Sequence, residues 1–250
     1  MASSSTNFQP HYRAPAYTVC LARTDKEILQ CQQLRCEVFQ GDREDIANHH
    51  GLDHAPVGLD CRQLMVKDNV RGKVIATASL KFEATINTPG RFDSESKFHM
   101  QSILTLTGRT MEIGKTCIHK GYCNRSVIKA LWLGLASLIV IHKIDYVFTT
   151  VSVSTADGGR YAHMVAHYVN HHCIAPEMFR VVPKSRQGPN PLPTSFSTVL
   201  PSVLKTYLRY GAVVCGEPYW NIEENTAEFL LLLEHSAVNK RYQKALAEHI

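Results

Sequence analysis

The chain has no apolar run of the roughly 18 residues that a membrane-spanning helix needs. Its best stretch, residues 131–141 (LWLGLASLIVI), is interrupted by Gly134 and Ser137. Residues 1–15 are polar and contain no apolar signal core. These absences argue against an integral membrane or secreted protein and for a cytoplasmic one. Eight cysteines in 250 residues are too few for a disulfide scaffold, and no two form C-x-x-C; the nearest, Cys31 and Cys36, stand five apart. They read as reduced, mostly buried thiols. Walker and dinucleotide-binding glycine spacings are missing, as are H-E-x-x-H and any internal repeat. What remains is ordinary globular composition: 44% hydrophobic and 20% charged residues, too apolar for disorder and enough chain to bury a real core.

Acidic residues are scarce in the middle of the chain. Residues 1–100 hold twelve basic and twelve acidic side chains, residues 101–200 hold ten against four, and residues 201–250 hold five against six. The net charge of +5 is therefore a property of the central segment, where Lys115, Lys120, Arg125 and Lys129 follow one another with no acid between. Such a patch suits an anionic partner. Aromatics are not interleaved with it, which speaks against nucleic acid.

Thr24 and Glu27 form a capping box ahead of Ile28, Cys31, Leu34 and Val38, predicting a helix that ends near Phe39. Residues 40–60 are loop-like, and β-rich segments at 63–66 and 73–82 flank a turn at 67–72. A strand at 110–118 carries Glu112, with Gly114 marking a bulge. After a loop at 121–125, Ser126 caps a helix to about 143, apolar nearly all round and so buried. A strand at 146–153, buried on both faces, completes a βαβ-like unit. A helix at 161–172, a Pro/Ser/Thr-rich connector at 183–201, a short helix from Pro201 to Gly211, strands at 212–215 and 228–233, and a charged helix from Asn239 follow. Residues 1–20 read as a flexible segment and 21–250 as one domain with a C-terminal extension from about 200.

Three constellations can carry chemistry. Glu112 is a lone acid in an apolar strand just before a basic loop and a helix N-terminus. There it can serve as a general base, while backbone N–H groups hold an oxyanion or phosphate; the alternative is an edge-strand glutamate facing solvent. The loop 120–126 (KGYCNRS) suits a diphosphate or phosphopantetheine, or is a plain solvated loop. His163, His167 and His171 share one helix stripe, followed by His172 and Cys173. Nearby acids to complete a metal site are missing, so packing or surface histidines are the preferred reading and no metal is assigned. Cys173 has no oriented base to make it a nucleophile.

Several segments together resemble the N-acyltransferases that make lyso-ornithine lipids and long-chain N-acyl amino acids, relatives of acyl-homoserine-lactone synthases within the acetyltransferase-like superfamily. LRCEVF at 34–39 resembles their LRxxVF, and MEIGKTCIH at 111–119 their ELGRSCV strand. YCNR at 122–125, LWLG at 131–134 and VNHH at 169–172 continue the likeness. LPSVLKTYLRYGA at 200–212 is similar to LPPLIKGYLRLGA, and RY at 241–242 to a late RY. The resemblance spans about 20–245. It implies an α/β (α+β) acetyltransferase-like fold: a central twisted mixed sheet flanked by helices, with a cleft where two strands splay. It also implies an acyl-carrier-protein thioester as donor, an amino acid (typically ornithine) as acceptor, and no permanently bound cofactor.

Carried over by position, Glu112 matches the strand glutamate that assists amine deprotonation and Arg35 the first-helix arginine. Asn124, Arg125 and Ser126 fall where the pantetheine diphosphate lies. Gly114, Lys115 and Lys120 join them on the donor side; Ser152 and either Asp53 or Asp60 join Arg35 on the acceptor side. Lys115 replaces the usual arginine, and Gln63 stands where a histidine often sits. The implied reaction is amide formation without a covalent enzyme intermediate, with the apolar segments 127–141 and 146–153 lining the acyl chain. Carrier proteins are acidic, so Lys120, Arg125 and Lys129 become a docking patch. The product allows peripheral contact with the inner face of the membrane. Two rivals stand beside this reading. A lactone synthase would use S-adenosylmethionine, and the block at 200–212 argues against it. A non-enzymatic lipid- or carrier-binding module would keep the patch and tolerate loss of Glu112.

Overall fold

The computed structural model describes residues 12–13, 16–40, 61–82, 92–186, 188 and 199–236. In chain order these form β1 (Tyr12–Arg13), β2 (Tyr17–Leu21), α1 (Asp25–Gln40), β3 (Cys61–Asp68), β4 (Val74–Phe82), a 3₁₀ turn (Asp93–Ser96), β5 (Phe98–His99), α2 (Gln101–Leu104) and β6 (Thr110–Ile118). A second 3₁₀ turn (Lys120–Tyr122) leads into α3 (Arg125–Ile141), β7 (Tyr146–Ser154), α4 (Arg160–His172) and a third turn (Glu177–Phe179). Then come β8 (Val182–Pro183), α5 (Ser202–Arg209), β9 (Val213–Val214), β10 (Tyr219–Asn221) and β11 (Thr226–Glu234). The expected charged helix from Asn239 lies outside the described residues. The chain divides into two compact units, Met1–Leu80 with Lys115–His142, and Lys81–Gly114 with Lys143–Ile250.

In the first unit β1, β2 and β3 form an antiparallel ladder, so residues 17–20 belong to the sheet and not to a flexible segment, and α3 lies against β2 and β3. The capping box is present: Thr24 Oγ1 accepts from Glu27 N, and Glu27 Oε2 accepts from Thr24 N, both at 3.2 Å. From there α1 turns Cys31 and Leu34 onto Met65, Val74 and Cys117. The cap of α3 is not Ser126. Asn124 takes that place, its Oδ1 accepting from Ser126 N and Val127 N at 3.0 Å, since an Asn at this position reaches both first-turn donors. Nor is α3 buried all round: Ile128, Val140 and Ile141 are exposed, because the sheet covers only one side of it.

In the second unit β6 runs parallel to β7, pairing from Thr110↔Tyr146 to Ile113↔Thr149. The expected βαβ order is thus present. Both strands continue past this ladder, and the backbone distortion sits at Lys115 (φ 46°), one residue beyond the glycine expected to bulge. Nine antiparallel pairs join β7 to β11, and β9 and β10 also pair antiparallel with β11. The core on this sheet gathers Phe92, Phe98, Met100, Phe148, Phe179, Leu230 and Leu232. β7 is buried on both faces only in its first half; Ser152 and Ser154 are exposed.

Gly134 is where α3 comes closest to β2. A Cβ there would lie 2.4 Å from Val19 Cγ1, on a fully buried and rotationally stiff side chain. Gly134→Ala gains at most ~1 kcal/mol of helix propensity and meets an overpacking cost of ~1–3 kcal/mol. We expect a melting temperature a few degrees lower, largely restored by adding Val19→Ala. A single variant melting at or above the parent temperature would refute the close contact.

Candidate active site

Glu112 is 3% exposed. It is not a solvent-facing edge residue: it lies in the β6–β7 ladder opposite Phe148. Its oxygens hold the start of the first 3₁₀ turn. Oε2 accepts from Asp93 N at 2.7 Å, and Oε1 accepts from Ser94 N at 2.9 Å and Ser94 Oγ at 2.5 Å. Three such bonds favour the charged carboxylate, whereas burial of the charge disfavours it. Burial wins: it pushes the Glu112 carboxyl above its ordinary range, against the pull of the Ser94 and Asp93 donors and with help from the nearby Asp93 charge. A carboxylate offers about four lone-pair sites, so Oε2 keeps room for one more donor.

The same segment is gripped by a second buried acid. Glu228 on β11, 1% exposed, accepts from Lys97 Nζ at 2.5 Å through Oε2. Its Oε1 is buried with no hydrogen-bond partner among the described residues. Sequence reading missed this residue because alternation marks it only as one more position in a hydrophobic strand, and its partner lies 131 residues away. Ser152, an expected acceptor-side residue, is the cross-strand neighbour of Glu228.

The loop expected to hold the donor is built from 119 to 126. His119 Nδ1 accepts from Gly121 N at 3.0 Å, which leaves Nε2 to face Glu37 Oε1 at 3.1 Å. Lys120, Arg125 and Ser126 are exposed and Lys129 is half-buried. Asn124 spends its side-chain oxygen on two of the helix's own N–H groups, so any anion there relies more on cationic side chains than on those amides. Sequence reading also missed the brace beneath this loop. Tyr122 Oη donates to Asp68 Oδ2 at 2.9 Å, and Arg71 Nη1 reaches both Tyr122 Oη (3.0 Å) and Asp68 Oδ2 (3.3 Å). Donors from Arg71 N, Tyr122 Oη and Val70 N hold the Asp68 carboxyl down at about 2.

Arg35 is buried at 1% exposure and donates to Gln63 Oε1 at 2.6 Å. Asp53 and Asp60 lie outside the described residues. Gly114 and Lys115 sit at the distortion of β6, Lys115 exposed. The α4 histidines stack rather than converge: His163 lies 4.6 Å from the Trp220 ring and His167 4.3 Å from His171. Cys173 is half-buried, and burial pushes its thiol up, away from nucleophilic use.

Residues 34–133 match the family described as Acetyltransferase (GNAT) domain, a span that includes Arg35, Glu112 and the 119–126 loop. The mixed sheet flanked by helices is the fold of that class. A CoA-dependent acyl-homoserine lactone synthase shares it with a TM-score of 0.54 at 10% identity, covering 91% of this chain and 90% of that one. An N-acyl amino acid synthase from uncultured soil microbes shares it with a TM-score of 0.50 at 9% identity, covering 90% and 93%. In sequence, the L-ornithine N(alpha)-acyltransferase of Rhodobacter capsulatus is 24% identical over 248 residues, 92% of this chain and 94% of that protein. The acetyltransferase-like fold and the likeness to N-acyltransferases read from the sequence are both borne out. The chain is an acyltransferase.

Because Asp68 is depressed from its ordinary 3.8 to about 2, its stabilising contribution is complete above its unfolded value and is lost as pH falls from there toward 2. Asp68→Asn should therefore melt below the parent protein at pH 7, with the gap narrowing between about pH 5 and pH 2. Melting curves across that window are the check, and a gap independent of pH contradicts the brace.

Proposed function

We propose that the chain transfers a long-chain fatty acyl group, with or without a 3-hydroxyl, from an acyl-carrier-protein thioester to the α-amine of an amino acid. Ornithine is the expected acceptor, giving an N-acyl amino acid or lyso-ornithine lipid. One observation carries this reading: a buried carboxylate, with its proton affinity raised by burial, stands on the strand that leads into a basic loop and helix.

A free α-amine has a pKa near 8, so a carboxylate whose proton affinity is raised by burial can take its proton during attack, directly or through one water, at the remaining site on Glu112 Oε2. The nitrogen attacks the thioester carbonyl, and backbone N–H groups near Gly114 and Lys115 stabilise the tetrahedral oxyanion. Collapse expels the pantetheine thiolate, which takes up the proton as the amide forms. The left-handed backbone at Lys115 supports this role, since a distortion of this kind interrupts a regular ladder. Lys120, Arg125 and Ser126 take the phosphate end of the donor, with Asn124 shaping the loop. Arg35, Ser152 and either Asp53 or Asp60 remain on the acceptor side. We infer one acyltransferase domain that takes in β2 as well as residues 21–250, and a cytoplasmic setting with peripheral contact at the inner face of the membrane. Among the described residues no helix is long and apolar enough to cross a membrane.

The purified chain, given an acyl-carrier-protein thioester and ornithine, should form N-acylornithine detectable by mass spectrometry. Glu112→Gln should lower kcat at least about a hundredfold. Ser94→Ala removes a bond that favours the charged carboxylate, so the acid limb of kcat/KM should move to higher pH. A limb that stays in place would return Glu112 to a purely structural role.

Reversing the charges of Lys120 and Arg125 should raise KM for the carrier-bound donor several-fold more than for a small acyl thioester, because only the carrier brings an acidic surface. Equal effects on both donors would count against docking at this loop.

A further inference from the structure

A buried carboxylate oxygen without a donor is costly, and Glu228 Oε1 has none among the described residues. It does not stand alone. Thr226 Oγ1, two residues along β11 and so on the same face, is likewise buried with no partner among the described residues. The two positions lie about 7 Å apart along the strand. Across the ladder on β7 their neighbours are Ser152 and Ser154, both exposed. Within one strand spacing this sheet face therefore passes from a buried acid to hydroxyls open to solvent.

The charge of Glu228 is already balanced by Lys97, whose Nζ carries three donors and whose side chain is 29% exposed. A balanced pair gains little from a ligand of one sign and is complementary to a ligand carrying both. The acceptor in the reaction proposed above is such a ligand. Its α-amine must be free to attack, which leaves the α-carboxylate and, on a diamino acid, the side-chain ammonium as its two fixed charges.

We propose that the Lys97–Glu228 pair is the specificity device for a diamino-acid acceptor. Glu228 Oε1, assisted by Thr226 Oγ1, receives the side-chain ammonium, and Lys97 faces the α-carboxylate. The α-amine is then the one polar group of the acceptor left unheld. This inference rests on the N-acyltransferase reading and adds residues that the matched 34–133 span covers only in part.

The test uses the full chain, one acyl thioester donor, and two acceptors that differ only in the terminal amine: ornithine and norvaline. The parent enzyme should favour ornithine in kcat/KM by at least tenfold. Glu228→Gln should collapse that ratio roughly 10–100-fold, the range for a lost hydrogen bond to a charged group. Thr226→Val keeps the ion pair and should lower the ratio several-fold, so it decides the matter if Glu228→Gln does not fold. Product from neither acceptor in the parent enzyme would fail the N-acyltransferase reading itself. Ornithine acylation with a ratio near one, or a ratio unchanged in the folded variants, would overturn the assignment to Glu228 alone. So would a variant whose only defect is a raised KM for the donor.

Discussion

The second unit depends on how two buried carboxylates hold one short piece of chain. Residues 93–97 have little apolar surface with which to anchor themselves, yet every end of the segment is tied. Glu112 takes the Asp93 and Ser94 amides and the Ser94 hydroxyl. Glu228 takes Lys97. Lys81 meets the Asp93 carboxylate, and Lys184 Nζ donates to the Glu95 carbonyl. Both acids stand on the same face of the sheet, since Glu112 pairs with Phe148, Glu228 with Ser152, and these lie four residues apart on β7. Truncating either acid therefore risks more than a lost side chain. It releases amides or an ammonium into an apolar layer, and the cost falls on the released partner.

The first unit solves a different problem, that of fixing an exposed cationic loop. Lys120 and Arg125 project into solvent and cannot be packed in place. Order comes instead from beneath, through Asp68, Arg71 and Tyr122, and from beside, through His119 and Asn124. Arg71 is largely exposed, so its ion pair contributes little stability by itself. The hydrogen bonds converging on Asp68 matter more because they join the β3–β4 turn to the loop. The α3 N-terminus is also self-capped. An anion held there is met mainly by exposed side chains, which fits a large, charged partner better than a tightly caged small phosphate.

Local chemistry was legible in the sequence wherever it was self-contained. The Thr24–Glu27 cap, the turn after Asp68, the βαβ order around Glu112 and the helix opened by Pro201 each need only neighbouring residues, and each is present. Features set by distant partners were not legible. The Lys97–Glu228 pair spans 131 residues and the Tyr122–Asp68 bond 54. No periodicity marks them. The cap of α3 shows the limit of propensity, since Asn124 and Ser126 are both good capping residues and only backbone geometry decides between them. Burial of β7 was overestimated for a related reason: Val and Thr at 147–151 are read alike whether one face or two is covered, and only Ser152 and Ser154 mark where cover ends.

The two acids also show why burial alone does not assign a role. Glu112 and Glu228 are buried to a similar degree on the two strands that flank β7, but their partners differ in kind. Glu112 faces neutral donors, which stabilise its anion without supplying a counter-charge, so burial still raises its proton affinity. Glu228 faces an ammonium, which supplies the counter-charge that Glu112 lacks, and its second oxygen is buried with no partner among the described residues. A proton-transfer group must be able to change charge during the reaction, whereas a recognition group must not. In the proposed reaction, the neutral donors around one acid and the cation beside the other would meet those two requirements on a single sheet face.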